Sequence, residues 1–256
     1  LHGVVSNVYG NKNILSAVGR SVGVFYGYKT AGVFSTDAQA AQAGKYGYLR
    51  YPTGIASSPY RNFKAGDVHF VDQNGDGWIN EADMVEIGNP NPTIYGNLYT
   101  TLSWKGLTLD LIFKYSLGND VFNYQRSQLE AQNNIWNQTT AVVNRWRYEG
   151  QVTDVPRPMA STNEEWVDNE RFSDRWIEDG SFLKLKKLRL TYKLPLNLSW
   201  LQGLSVWGEV NNVFTVTKYL GSDPEVSVGN GVLYQGVDAG YLPSSRSFNF
   251  GVTINL

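Results

Sequence analysis

Cysteine is absent from this 256-residue chain, which removes disulfides, thiol catalysis and thiolate metal sites at once. Long apolar runs are absent too. No stretch approaches the roughly 18 consecutive apolar residues of a membrane-spanning helix. Histidine is scarce, with only His2 and His69, too few for a zinc hydrolase. No GxSxG, HExxH or P-loop pattern occurs, so the commonest nucleophile, metalloprotease and nucleotide signatures are missing. An excess of one charge is also lacking. The 22 basic and 23 acidic residues leave a formal net charge of -1, which gives no field to draw in nucleic acid or acidic lipid. There is no initiating Met, basic n-region or apolar h-region, so no signal peptide is expected within this stretch. Leu1 therefore reads as a cut point inside a longer chain.

What the sequence does contain is aromatics, at 14%, and glycine, at 26 residues. It also contains alternation. Six segments of about ten residues show or tolerate a period-2 alternation of apolar and polar residues, as half-buried strands do. They lie near 17–28, 94–104, 107–118, 181–194, 203–216 and 246–256. In the last, Phe248, Phe250, Val252, Ile254 and Leu256 share one face, opposite Ser247, Asn249, Gly251, Thr253 and Asn255. In 107–118, Leu107, Leu109, Leu111, Phe113, Tyr115 and Leu117 oppose Thr108, Asp110, Lys114 and Ser116. Leu183 and Leu185 are out of phase with Leu188, Leu190, Tyr192 and Leu194, and a bulge near Lys186–Lys187 would restore the phase. No charged residue occupies the apolar face. Facing lipid, one Lys or Arg at the midplane costs about 2–4 kcal/mol. Such strands average out to a mean hydropathy of only -0.32, so a β-barrel is compatible with that value.

The connections alternate strictly between short and long. Lys105–Gly106 and Pro195–Gln202 are short; 29–93, 119–180 and 217–245 are long. Short periplasmic turns and long extracellular loops are the rhythm of an outer-membrane barrel. Loops above about 15 residues are rare in a compact soluble domain without a functional reason. Six strands fall short of the roughly eight in the smallest single-chain barrels, so the rest are expected from sequence upstream of Leu1. The expected fold is therefore all-β: a transmembrane antiparallel β-barrel fragment with long extracellular loops.

One loop carries specific chemistry. Asp72-Gln-Asn74-Gly-Asp76-Gly77-Trp78-Ile79-Asn80-Glu-Ala-Asp83 has the spacing of a twelve-residue calcium loop. Asp72, Asn74 and Asp76 stand at positions 1, 3 and 5. Gly77 permits the turn, Trp78 offers its carbonyl, and Asn80 acts directly or through water. Asp83 replaces the usual Glu at position 12, and its shorter arm weakens bidentate binding. No helix pair flanks the loop, which argues against a calcium sensor. A structural Ca2+ clip and a metal-free Asx/Gly turn are both open on these residues.

Trp136, Trp146, Trp166 and Trp176 all lie in 119–180. They read either as a stacking or partner surface or as the loop's own small core. Glu164, Glu165 and Asp168, and separately Glu178 and Asp179, form acidic clusters. A solvated loop face is the plain reading and a glycosidase-type pair the sharp one. Trp104, Tyr192 and Trp207 sit near strand ends, where interfacial aromatic girdles lie.

Four ordered motifs carry a resemblance. They are Val22-Gly-Val-Phe-Tyr-Gly-Tyr-Lys29; Gly66-Asp-Val-His-Phe-Val-Asp-Gln-Asn-Gly-Asp-Gly77 with Ile87-Gly-Asn-Pro-Asn-Pro92; Glu178-Asp-Gly-Ser-Phe-Leu-Lys-Leu-Lys-Lys-Leu188 with Tyr192-Lys-Leu-Pro195; and Asn211-Asn-Val-Phe-Thr-Val-Thr-Lys-Tyr219 with Gly221-Ser-Asp-Pro-Glu225. The ending Pro243-Ser-Ser-Arg-Ser-Phe248 through Leu256 adds a closing-strand pattern. From about Gly19 onward the chain resembles the carboxy-terminal part of SusC/RagA-type TonB-dependent transporters of the Bacteroidetes outer membrane. The resemblance implies a barrel of about 22 strands with these six as the last, and an amino-terminal plug. It implies import of glycans or peptides, no enzyme activity, a SusD-type surface lipoprotein as lid, TonB coupling through upstream sequence, and outer-membrane lipid around the wall. No substrate-binding residue transfers by motif. Two other readings stand beside it: a soluble calcium-stabilised β-domain such as a carbohydrate-binding module, and a porin without energy coupling.

Overall fold

The computed structural model describes residues 3–8, 12–43, 62–133, 135–158, 167–196 and 200–255. In chain order the strands are β1 (Gly3–Val8), β2 (Lys12–Ala17), β3 (Val24–Gly27), β4 (Thr30–Val33), β5 (Val68–Phe70), β6 (Val85–Gly88), β7 (Ile94–Trp104), β8 (Leu107–Leu117), β9 (Asp120–Asn123), β10 (Ile177–Asp179), β11 (Phe182–Leu194), β12 (Gly203–Thr217), β13 (Val237–Asp238) and β14 (Ser247–Asn255). Two short helices, α1 (Asp37–Gln42) and α2 (Tyr124–Leu129), complete the longer elements. The chain divides into two units, one of Leu1–Pro90, Val121–Glu178 and Ser227–Gly240, the other of Asn91–Asp120, Asp179–Val226 and Tyr241–Leu256.

The second unit is a five-stranded antiparallel sheet in the order β14-β12-β11-β8-β7. Its register explains the alternation. Leu102, Leu109, Leu190, Gly208 and Phe250 stand in one row across the sheet; Thr100, Leu111, Leu188, Val210 and Phe248 stand in the next. Between these rows, on the opposite face, run Thr101, Asp110, Arg189, Glu209 and Asn249. Directly opposed residues share a face, so the charged side chains of these strands collect in rows on one side of the sheet, where a few apolar residues such as Tyr99 and Ile112 join them. The apolar face is left open, with Phe250 81% exposed.

Two local devices set this register. Lys105 and Gly106 both adopt positive φ, at 46° and 86°, the requirement of a two-residue type I′ hairpin turn. The register then shifts between Leu185 and Lys187 on both sides of β11. The expected bulge is therefore present, and it keeps Leu183 and Leu185 on the face of Leu188 and Leu190. On β12 the chain compensates at Asn212, whose φ is 53°. Arg246 donates to the Asn212 and Val213 carbonyls there, so the disturbed ladder keeps its partners.

The expectation of one strand over 17–28 is corrected. β2 ends at Ala17, the chain turns, and β3 begins at Val24. Gly19 and Gly23 take positive φ at the two ends of the turn, a conformation that breaks an L-residue strand. β2 and β3 join a separate sheet, β1-β2-β3-β6. β3 is buried rather than half-exposed, with Val24 and Phe25 at 0% exposure. The described long sheet therefore has five strands. The β1–β2 hairpin is not among the segments expected from the sequence.

The long connections hold structure of their own in the first unit. One core gathers Tyr28, Phe34, Phe63, Val68, Phe70, Ile79, Met84 and Val167. Another gathers Phe25, Phe122, Phe172, Trp176 and Val237, with β13 pairing β9 in parallel. Each fully buried large side chain contributes about 1.5–3 kcal/mol, which is how the described parts of these connections hold together.

Candidate functional site

The calcium-type loop is anchored at both flanks. Val68 and Phe70 precede it, Ile79 lies within it and Met84 follows, all in the first core. Gly75 and Gly77 take positive φ, so the chain can reverse twice in three residues. Within it the oxygens accept backbone amides: Asp72 from Gly75 and Gly77, Asn74 from Asp76, Asp76 from Trp78, and Asn80 from Ala82. Asp83 is buried and accepts from Gln73 and Asn80, closing a capping box with Asn80. Partial desolvation opposes ionisation of Asp72, but the Gly77 and Gly75 amides outweigh it and hold its carboxyl below the usual range. Among the described residues no three His, Cys, Asp or Glu side chains are gathered as a metal site. The donor types and the glycines suit Ca2+; the loop also satisfies itself as a series of Asx turns.

The four tryptophans part company. Trp176 is 2% exposed and belongs to the second core, with the Arg126 and Arg175 guanidinium groups each 5.3 Å from its ring. It packs; it does not present a surface. Trp146 is half-buried and donates its Nε1–H to the Ser35 carbonyl at 3.2 Å. Trp136 is 69% exposed and is the one of the three described that offers a face to solvent. Trp166 lies outside the described residues, as do Glu164 and Glu165.

The remaining acidic groups resolve differently. Glu178 pairs with Arg126 at 2.8 Å, and Asp179 accepts the Ser181 amide. Asp168 has its carboxyl raised by burial, against the pull of Arg171. Burial and then the charge of Asp168 push Glu170 up to about 8. Asp67, at 0% exposure, takes a two-pronged ion pair from Arg157 at 2.8 and 3.1 Å.

The polar face of the long sheet carries the densest chemistry. Thr101 donates to Asp110 at 2.7 Å; Lys187 and Arg189 approach Glu209 at 2.7 and 3.8 Å. Arg189 stacks 4.1 Å over Trp207. That placement corrects the girdle reading of Trp207, which lies between Thr191 and Gly251 on the polar side. Trp104 and Tyr192 do share the apolar face, at the hairpin end. Sequence reasoning missed Lys184. It is 2% exposed and reaches Asp223 at 2.9 and 3.1 Å and Glu225 as well. The signal available was Gly221-Ser-Asp-Pro-Glu225, two carboxylates around one proline.

No protein-family profile matches the chain. Relatives do. TonB-dependent receptor P3 of Formosa agariphila is 32% identical over 244 residues, covering 92% of this chain and 22% of that receptor. TonB-dependent receptor SusC of Bacteroides thetaiotaomicron is 27% identical over 227 residues, 83% of this chain and 20% of SusC. The RagAB peptide transporter structure aligns over 96% of this chain and 24% of its own, with a TM-score of 0.67 and 23% identity. The chain belongs to the SusC/RagA-type TonB-dependent receptors. It spans about a quarter or less of the receptors it matches.

For a SusC/RagA-type stretch the two faces of the long sheet acquire meaning. The fold is a fragment of a β-barrel. The homologous receptors are outer-membrane β-barrel proteins and transporters, not enzymes. Among the described residues no helix is long and apolar enough to cross a membrane. In barrels of this kind an apolar outer face meets lipid and polar residues line the interior.

Proposed function

We propose that the chain is the carboxy-terminal barrel segment of an outer-membrane importer that takes up oligomeric nutrients, glycan or peptide, with energy from TonB. The carrying observation is the wall itself: five strands with a mainly apolar, uncharged face and with their charges on the other. A SusD-type surface lipoprotein serves as lid, and outer-membrane lipid covers the apolar face. The five described long strands are the last of about 22, where six were expected from the sequence. Strand β14 runs towards the periplasm, and 29–93, 119–180 and 217–245 are extracellular. Their length and their own cores support that assignment, since periplasmic turns are short.

The test uses the intact receptor. Uptake of labelled oligosaccharides and oligopeptides is compared between wild-type and receptor-deleted cells, with and without a protonophore. Deletion should abolish uptake of one class, and the protonophore should mimic it. Equal uptake by deleted cells, with the receptor recovered in the soluble fraction, would refute the importer. A tagged receptor should also bring down one surface lipoprotein. The soluble carbohydrate-module alternative leaves the open apolar face without a partner, and a segment that melted reversibly in plain buffer would favour it.

We also propose that Asp72, Asn74, Asp76, the Trp78 carbonyl, Asn80 and Asp83 hold a structural Ca2+. Position 12 being Asp points to modest affinity. Titration calorimetry of the intact receptor against its Asp76→Ala variant should show one site fewer in the variant. Equal stoichiometry removes the calcium reading and leaves the Asx turns as the whole of the loop's stability.

A further inference from the structure

Three lysines converge on one short arm of the second unit. Lys184 and Lys114 stand directly opposite each other on β11 and β8, an arrangement that repels. Lys186 is the extra residue of the β11 bulge. The bulge re-aims it, so Lys184, Lys186 and Lys187 all serve the polar side while Leu185 and Leu188 keep the apolar one. The arm answers with two carboxylates. Asp223 takes Lys184 on both oxygens; Glu225 takes Lys184, Lys186 at 3.1 Å and Lys114 at 2.7 Å.

The arm is organised for this. Pro224 separates the two acids and fixes its own φ at the first central position of a turn, which the Val226 amide closes on the Asp223 carbonyl at 3.3 Å. Asp223 also accepts the amides of Glu225 at 3.1 Å and Ser244 at 3.3 Å. It therefore ties the start of the 217–245 connection to its end. Desolvation works against both acids, yet the lysine contacts hold Asp223 below its usual range and bring Glu225 to about 2. Lys184 is itself as buried as a core residue, so losing its partners would strand a charge out of water.

We propose that Lys184, Asp223 and Glu225 form a charge latch that fixes residues 219–226 to the polar face of the wall, making this arm a rigid lining of the passage rather than a moving gate. The proposal rests on the barrel reading, but its measurement needs no transport. Hydrogen–deuterium exchange of the intact receptor, followed by mass spectrometry, reads the arm and the strands separately. In wild type the amides of Glu225, Val226 and Ser244 should exchange slowly. Lys184→Met should speed them at least tenfold and leave peptides from β8, β11 and β12 unchanged. Should Lys184→Met not assemble, Asp223→Asn and Glu225→Gln open the latch from the arm without touching a strand. Combining Lys184→Met with Asp223→Asn should add little to either alone, because one contact is being broken twice. Unchanged arm exchange in every assembled variant would overturn the latch. So would acceleration spread equally through β11, which would make Lys184 a strand residue only. Rapid exchange throughout the strands of the wild type would instead count against the barrel.

Discussion

Thr100 and Thr101 are adjacent, identical residues of β7 that face opposite ways. Thr100 stands in the apolar row with Leu111, Leu188, Val210 and Phe248, one residue from the middle of the strand. Thr101 stands in the polar row with Asp110, Arg189, Glu209 and Asn249. Replacing each with Arg applies the same chemical change to the two sides of one wall. Thr100→Arg puts a guanidinium against lipid near the midplane, at a cost of about 2–4 kcal/mol. That is roughly a 30- to 1,000-fold loss in the folded-to-unfolded ratio, at about 1.4 kcal/mol per tenfold. Thr101→Arg loses a hydrogen bond to Asp110 but gains an ion pair with the same carboxylate, so its change should be small. The assay is urea unfolding of the intact receptor in lipid vesicles, with outer-membrane assembly scored in cells. Equal losses for the two variants, or a worse outcome for Thr101→Arg, would refute the assignment of faces.

The β7–β8 turn predicts a second pair of results. Gly106→Val forces a branched residue to φ 86° against the Lys193 carbonyl and should cost about 1–2 kcal/mol, whereas Lys105→Asn suits the type I′ turn and should stabilise slightly; urea midpoints check both. Arg157→Ala strands the Asp67 carboxylate in the first unit and should cost about 3–5 kcal/mol locally, read as faster exchange around Val68. The pH dependences should run in opposite directions. Glu225 is depressed on folding, so its contribution is full above about pH 4.5 and fades as pH falls towards about 2. Glu170 is raised, so its contribution is full below about pH 4.5 and fades as pH rises to about 8. Glu170→Gln should flatten the alkaline limb of a stability–pH curve, and an unchanged limb would reject the assignment.

Much of the second unit is legible in the order of its residues. Strand faces follow from period 2, which is a local property of the backbone. The type I′ turn follows from a two-residue connection ending in Gly106. Even the bulge in β11 is readable, because Leu185 and Leu188 cannot share a face across an odd spacing unless one residue is extruded. Parity also places Trp207 with Ser205 and Glu209 rather than with Val206, so its polar side could have been read.

The first unit is not legible in the same way. The alternation of 17–28 continues straight through a turn, since glycines at positive φ leave the apolar pattern intact while reversing the chain. Whether a tryptophan packs or faces solvent depends on residues far away: Trp176 is enclosed by Phe25, Phe122 and Val237, none near it in sequence. The same holds for ions. Nothing local to Lys184 reveals that Asp223 and Glu225 lie beside it, and the pairing of Asp67 with Arg157 spans 90 residues. The sequence by itself determined which face of each long strand is apolar, because side-chain direction repeats every two residues. Only the tertiary structure decided which charges meet and which aromatics are enclosed, because those contacts are made between segments the chain keeps far apart.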